Sequence, residues 1–181
     1  MHLNQTRNAM TLPAHIVVRQ AGFGDVETLI EFSAAMAQET EGRCLDRDRL
    51  RSGTRAVLNT PERGFFLVAE VHDQDRPRLA GQLMVTFEWS DWRNGVFWWV
   101  QSVYVDPTYR RQGVYRTMHA EIVAKAATDP QVCGIRLYAE QNNHEAQTVY
   151  QRVGLVPAGY VVYEQDFVLS KRIDQAHKAD R

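Results

Sequence analysis

Cysteine is scarce in these 181 residues: Cys44 and Cys133 are the only two, and they stand far apart with no paired spacing. That excludes a disulfide-stapled framework and a cysteine zinc site, and it suits a reducing cytoplasm. An excess of either charge is also missing, with 21 basic residues set against 22 acidic ones for a formal net charge of −1. No global field therefore draws the chain to nucleic acid or an anionic membrane, and any polyanion site must be local. No apolar run approaches the roughly 20 residues that cross a bilayer. The polar opening MHLNQTRNAMTLP lacks the apolar core of a signal peptide. The six histidines show no metal-ligand spacing, so no metal site is expected. There are no internal repeats or low-complexity linkers. The expectation is a soluble, cytoplasmic protein without a nucleic-acid or membrane partner.

What is present is enough apolar sequence for one core. The length suits a single domain, taken as residues 14–170, with 1–13 and 171–181 as tails. His15 to Gln20 reads as a strand. Val26, Leu29, Ile30, Ser33, Met36 and Ala37 recur at helical spacing up to about Glu41. A more charged helix is expected over Arg47 to Leu58. Gly64 to His72 and Leu79 to Glu88 read as an antiparallel hairpin around a polar turn. Val96 to Val105 follows as a long aromatic strand. Val114, Met118, Ile122 and Ala126 then step by four as one helical stripe ending near Asp129-Pro130. Gly134 to Ala139 reads as a strand, Asn143 to Val153 as a helix, and Leu155 to Leu169 as one or two closing strands. The order βααβββαβαββ predicts an α/β (α+β) domain: one mixed central sheet with helices on both faces.

Within this order the segment Gln101 to Arg116, QSVYVDPTYRRQGVYR, concentrates the chemistry. A strand runs through a basic, glycine-containing turn directly into a helix. The first N–H groups of a helix have no internal partners, and its dipole favours negative charge there. Gln112, Gly113, Val114 and Tyr115 can therefore aim donors at a phosphate, while Arg110, Arg111 and Arg116 add positive charge. Gly113 allows a close backbone approach.

Arg110-Arg111-Gln112-Gly113-Val114-Tyr115 resembles the coenzyme A pyrophosphate loop of the GNAT acyltransferases: Arg or Gln, two residues, Gly, one residue, then Gly or Ala. Tyr115 departs from the small final residue, which the motif tolerates if only its N–H is used and its ring points away. A second segment, Asn143 to Leu155, resembles the other signature of that family through Asn143, Ala146, Tyr150 and Gly154, with Leu155 in place of Phe. On its own, Tyr150 is a ring on the helical face of Ala146, Val149 and Val153 whose hydroxyl needs a partner.

The resemblance implies direct acetyl transfer from acetyl-CoA to a primary amine. It places the coenzyme on Val103, Tyr104 and Val105 of the strand, on Arg110, Arg111, Gln112, Gly113, Val114, Tyr115 and Arg116 of the turn, and on Asn143 through the pantetheine amides. Tyr150 would protonate the departing thiolate. An N–H near Val103 or Tyr104 would face the developing oxyanion, a donor whose loss typically costs ~2.7–4 kcal/mol.

An amine of pKa about 10.4 requires roughly 4.6 kcal/mol to be neutral at pH 7, so a base is useful. Where many members carry Glu, this chain has Gln101, which cannot accept a proton at neutral pH. Glu88 is the preferred base, with Asp91 or a water held by Gln101 or Ser102 as alternatives. The dense aromatics include Trp89 and Trp92, either of which could wall an acceptor cleft. The acceptor is read as a small-molecule amine such as an amino acid or polyamine. Protein or peptide N-acetylation and a non-catalytic acyl-CoA-binding module are the competing functions, and the family also allows a homodimer.

Overall fold

The computed structural model describes residues 15–73 and 76–168. The chain begins with strand β1 (His15–Gln20), followed by helices α1 (Val26–Glu41) and α2 (Arg47–Asn59). Next come strands β2 (Phe65–Asp73), β3 (Arg76–Ser90) and β4 (Gly95–Val105), helix α3 (Val114–Thr128), strand β5 (Val132–Leu137) and helix α4 (His144–Arg152). The strands form one sheet in chain order, β1 to β4 antiparallel and β5 parallel to β4. Among the described residues no helix is long and apolar enough to cross a membrane.

Alternation along the strands divides the apolar residues between two faces. On one face Leu67, Ala69, Leu83, Val85, Trp98 and Val100 pack against Val114, Met118 and Ile122 of α3, with Val149 and Val153 of α4 at the edge. On the other, Phe66 and Val68 receive Leu29 of α1, with Val57 and Leu58 of α2 packed beside them. Helices cover both faces, as the element order requires.

The helix ends follow local chemistry. Gly42, at φ 63°, closes α1 and donates its N–H to Ala37 and Gln38. Asp46 caps α2 by accepting from the Asp48 and Arg49 N–H groups at 3.1 and 3.0 Å. Arg51 Nη2 reaches Glu27 Oε2 at 2.8 Å and Arg47 pairs with Glu31, so α2 is tied along α1 by exposed ion pairs. Each such pair contributes at most about 1 kcal/mol.

The closing strands expected over Leu155 to Leu169 do not form: residues 153–168 contain no strand, and Leu169 lies outside the described residues. Val156, Tyr160 and Tyr163 are exposed instead. Alternating apolar residues give strand propensity, but a strand exists only where a neighbour completes its ladder. Here Pro157 lacks an N–H, and Gly159 at φ 71° turns the chain. The β2–β3 hairpin is longer than expected, reaching Asp73 on one side and Arg76 to Ser90 on the other.

Candidate active site

The site is built where β4 loses its regular pairing. From Gly95 to Gln101 the strand pairs residue for residue with β3, but the register slips between Gln82 and Met84, so Ser102 and Val103 bulge outward opposite Leu83. Ser102 takes φ 51°, in the left-handed region. On its other edge β4 pairs with β5 only as far as Val100, opposite Leu137. Beyond that point β5 has ended while β4 runs on to Val105. The outer edge of Gln101–Val105 therefore has no strand beside it among the described residues, leaving backbone donors and acceptors for a bound chain.

Two residues unnoticed in the sequence hold this bulge. Gln82, fully buried, donates through Nε2 to Ser33 Oγ at 2.8 Å and lies 3.4 Å from the Ser102 carbonyl oxygen. It thereby links α1, β3 and the bulge. Gly81 admits the end of β4 and the start of α3 together. A Cβ there would stand 2.8 Å from the Tyr104 carbonyl oxygen and 3.2 Å from both Met118 Cε and Val114 Cγ1. Neither residue carries a sequence signal beyond its polarity or its smallness, because each acts through a neighbour distant in the chain.

The turn after β4 has the expected form. Asp106 accepts from the Thr108 N–H at 2.8 Å and opens a 3-10 turn over Pro107–Tyr109. Arg111 at φ 64° and Gly113 at φ 89° then bend the backbone into helix α3. Thr117 N–H, bonded to the Gly113 carbonyl at 2.9 Å, is the first of the helix to reach an acceptor. The N–H groups of Val114, Tyr115 and Arg116 precede it and point out of the helix end. Nothing lies within 4 Å of where a Gly113 Cβ would stand, so the mouth is open. The donor set and the helix dipole suit a diphosphate.

The charges divide unequally. Arg110 bonds Glu39 at 2.5 Å and the Val105 carbonyl at 2.9 Å, so it locks the turn to α1. Tyr104 is drawn into the same contact, its hydroxyl 3.0 Å from Glu39, and burial followed by that carboxylate pushes its pKa up. Gln112 folds back to the Thr108 carbonyl at 2.9 Å. Arg111 and Arg116 stay exposed without an ion pair among the described residues, leaving their charge at the turn. Val103, Val105 and Val114 turn their side chains to the core, so each can offer only its backbone.

On the opposite wall Asn143 caps α4, its Oδ1 accepting from the Ala146 N–H at 3.0 Å. Its side-chain NH₂ remains to meet an acceptor. Tyr150 lies one face further along α4, and burial raises its pKa, holding the phenol protonated through the neutral range. Its neighbour is Tyr115, whose ring lies in the core: it packs edge-to-face on Tyr150 at 5.4 Å and is 9 % exposed. The helix dictates this, because the second residue of α3 falls on the stripe of Met118 and Ile122 that faces the sheet.

Glu88 is not brought to the bulge. It sits opposite Phe97, five residues along β3 from Leu83, which corresponds to about 17 Å of strand. Its Oε1 accepts from Arg136 Nη1 at 2.7 Å and its Oε2 from the Trp99 indole. Arg136 also stacks on Phe97, 3.7 Å from the ring centre. Asp91, in the turn beyond β3, is farther still, and Trp89 and Trp92 are 61 % and 86 % exposed at that end. Gln101 lies at the bulge with its Nε2 2.5 Å from Thr86 Oγ1. No cluster of histidine, cysteine or carboxylate residues among those described could hold a metal ion.

Comparison with known proteins agrees with this geometry. The profile of the acetyltransferase (GNAT) family matches residues 27–155, which span strands β4 and β5, the turn and α4. A structure described as a "possible acetyltransferase" from Clostridium difficile 630 is 38 % identical, with a TM-score of 0.76, over 84 % of this chain and 98 % of that one. Two more distant structures share the fold. A "predicted acetyltransferase with acetyl-CoA" from Clostridium acetobutylicum is 16 % identical, with a TM-score of 0.66, over 83 % of this chain and 96 % of that one. Glucosamine-6-phosphate N-acetyltransferase from Arabidopsis thaliana is 15 % identical, with a TM-score of 0.63, over 84 % and 99 %. A search of curated proteins finds no match. Since one profile embraces the turn at Gly113, the bulged strand and the helix carrying Tyr150, the chain belongs to the acetyltransferase (GNAT) family and is an acetyl-CoA-dependent N-acetyltransferase.

Proposed function

We propose that the acceptor is the primary amine of a small molecule, in the class of amino acids and polyamines, and that it meets the donor at the bulge of β4. The observation that carries this is the end of the β4–β5 pairing at Val100 and Leu137, with β4 running on to Val105 beside the open N-terminus of α3. In this reading the N–H groups of Val114, Tyr115 and Arg116, with the Arg111 and Arg116 side chains, hold the coenzyme diphosphate. The free edge of Val103–Val105 and the Asn143 amide hold its pantetheine arm. The coenzyme supplies an activated acetyl thioester.

The chain's own groups supply the rest. A backbone N–H of the bulge, at Val103 or Tyr104, aims at the thioester oxygen, and a fixed donor there favours the charge that develops on it. Tyr150, held protonated by burial, donates to the leaving sulfur. Gln101 and Ser102 orient a water that removes the proton of the amine, since an amide can position but not accept it. Glu88 would have to release Arg136 and Trp99 before serving as a base, so its position favours a supporting role at the far end of the sheet.

A near-neutral net charge supports a small acceptor, because it provides no global field to draw in a charged protein tail. Steady-state assays against a panel of amines and a panel of peptides test the assignment. Turnover is expected with one or more small amines, and turnover restricted to peptides overturns it.

A further inference from the structure

Three aromatic polar rings meet between α3, α4 and the sheet. Tyr115 lies 5.4 Å from Tyr150 in edge-to-face contact and 5.9 Å from His119, one turn further along α3. Both the Tyr115 hydroxyl and His119 Nε2 are buried without a hydrogen-bond partner among the described residues. A buried, unsatisfied donor is costly, and such groups are uncommon in native interiors. Phenylalanine would fill the same space without that cost. The hydroxyl of Tyr115 therefore needs a reason to be there, and the ring it packs edge-to-face is that of Tyr150.

We infer that Tyr115 is a positioning residue for Tyr150, its O–H donating a hydrogen bond to the Tyr150 oxygen as that oxygen loses its proton. The inference rests on the reading of Tyr150 as the acid. Tyr150 breaks its O–H bond as the S–H bond of the leaving thiol forms, and keeps the electron pair as a phenolate. The proton lost by the amine on acylation, carried by solvent, then restores the phenol. A phenolate in this apolar pocket is disfavoured unless a donor meets it. A shift of the Tyr115 side chain within its edge-to-face contact brings such a donor to the Tyr150 oxygen, and satisfies the orphan at the same moment. The bond is strongest when Tyr150 carries charge, so it favours the reacting state over the resting one.

The side chains packed around the pair come from α3, α4, the preceding turn and the sheet. Tyr115 and His119 face it from α3, Tyr150 from α4, and Tyr109 from the preceding turn packs at the margin of the same cluster. Leu83, Val85 and Val100, the sheet side chains of the cluster, carry no charge. Burial also pushes His119 toward its neutral form.

The test is Tyr115→Phe, which keeps the ring and removes only the hydroxyl. Turnover is expected to fall about tenfold, the size of one hydrogen bond to a charged oxygen, with the KM for acetyl-CoA within about twofold of the parent. In the free protein, NMR of ζ-carbon-labelled tyrosine should show Tyr150 titrating at higher pH in the variant. The double variant Tyr115→Phe, Tyr150→Phe should be no slower than Tyr150→Phe alone. Unchanged turnover and unchanged Tyr150 titration in Tyr115→Phe, with Tyr150→Phe slow, overturns the inference and leaves the acid reading intact. If Tyr150→Phe turns over as fast as the parent, the acid reading falls and takes this inference with it.

Discussion

The two halves of strand β4 behave differently. From Gly95 to Val100 it is hydrogen-bonded on both edges, lined by Phe97, Trp98 and Trp99, and crossed by the Glu88–Arg136 ion pair. From Gln101 to Val105 it is bulged, paired on one edge, and followed at once by a turn whose backbone donors face outward. One half satisfies its polar groups internally; the other leaves them for a ligand. The lesson is that the candidate site is defined less by reactive side chains than by where the sheet stops completing its own hydrogen bonds. Glu88, the most conspicuous carboxylate by sequence, falls in the satisfied half.

This contrast can be broken or sharpened by substitution. The largest expected effect is that of Tyr150→Phe, which faces the open half. Its turnover should drop by about a hundredfold or more, the range of a lost general acid. The acetyl-CoA affinity measured by calorimetry should stay within about twofold, because the diphosphate and pantetheine contacts remain. Gly113→Val comes next. A branched residue at φ 89° is strained and its side chain enters the open mouth of the turn, so acetyl-CoA should bind at least about tenfold more weakly in the same measurement. Turnover at saturating donor should recover most of its value, which would separate binding from chemistry.

Gly81→Ala tests the support beneath the bulge. The added methyl meets the Tyr104 backbone rather than a flexible side chain, so chemical unfolding should show a loss of about 1–3 kcal/mol. Glu88→Gln should change least. The ion pair with Arg136 is partly exposed, and its loss should cost below about 1 kcal/mol with turnover within about threefold of the parent. A loss of turnover approaching that of Tyr150→Phe would instead place the base in the closed half and dissolve the contrast.

Much of this arrangement was legible beforehand because it depends on residues close in the chain. The helical stripes of α1 and α3, the strand alternation, the Gly113 turn and the helix starting at Asn143 are all local patterns, and each formed at or within a few residues of its expected place. The closing strands did not form although their apolar alternation suggested them, because Pro157 lacks an N–H and Gly159 turns the chain before a ladder is completed. Glu88 looked like a base because residue type is visible and register is not. The Tyr115 ring turned inward because its place in the helix outranked the small residue expected from the motif.

By itself, then, the order of amino acids determined the elements from β1 to α4, the mixed two-faced sheet and the glycine-containing turn into α3, since short-range periodicity and backbone geometry specify those. Tertiary structure alone decided that β4 bulges at Ser102, that Gln82 and Gly81 sit beneath it, that Arg136 claims Glu88 and that Tyr115 meets Tyr150. Each of these is a contact between distant segments, set by strand register and helix packing, and no local pattern encodes which side chain will be opposite which.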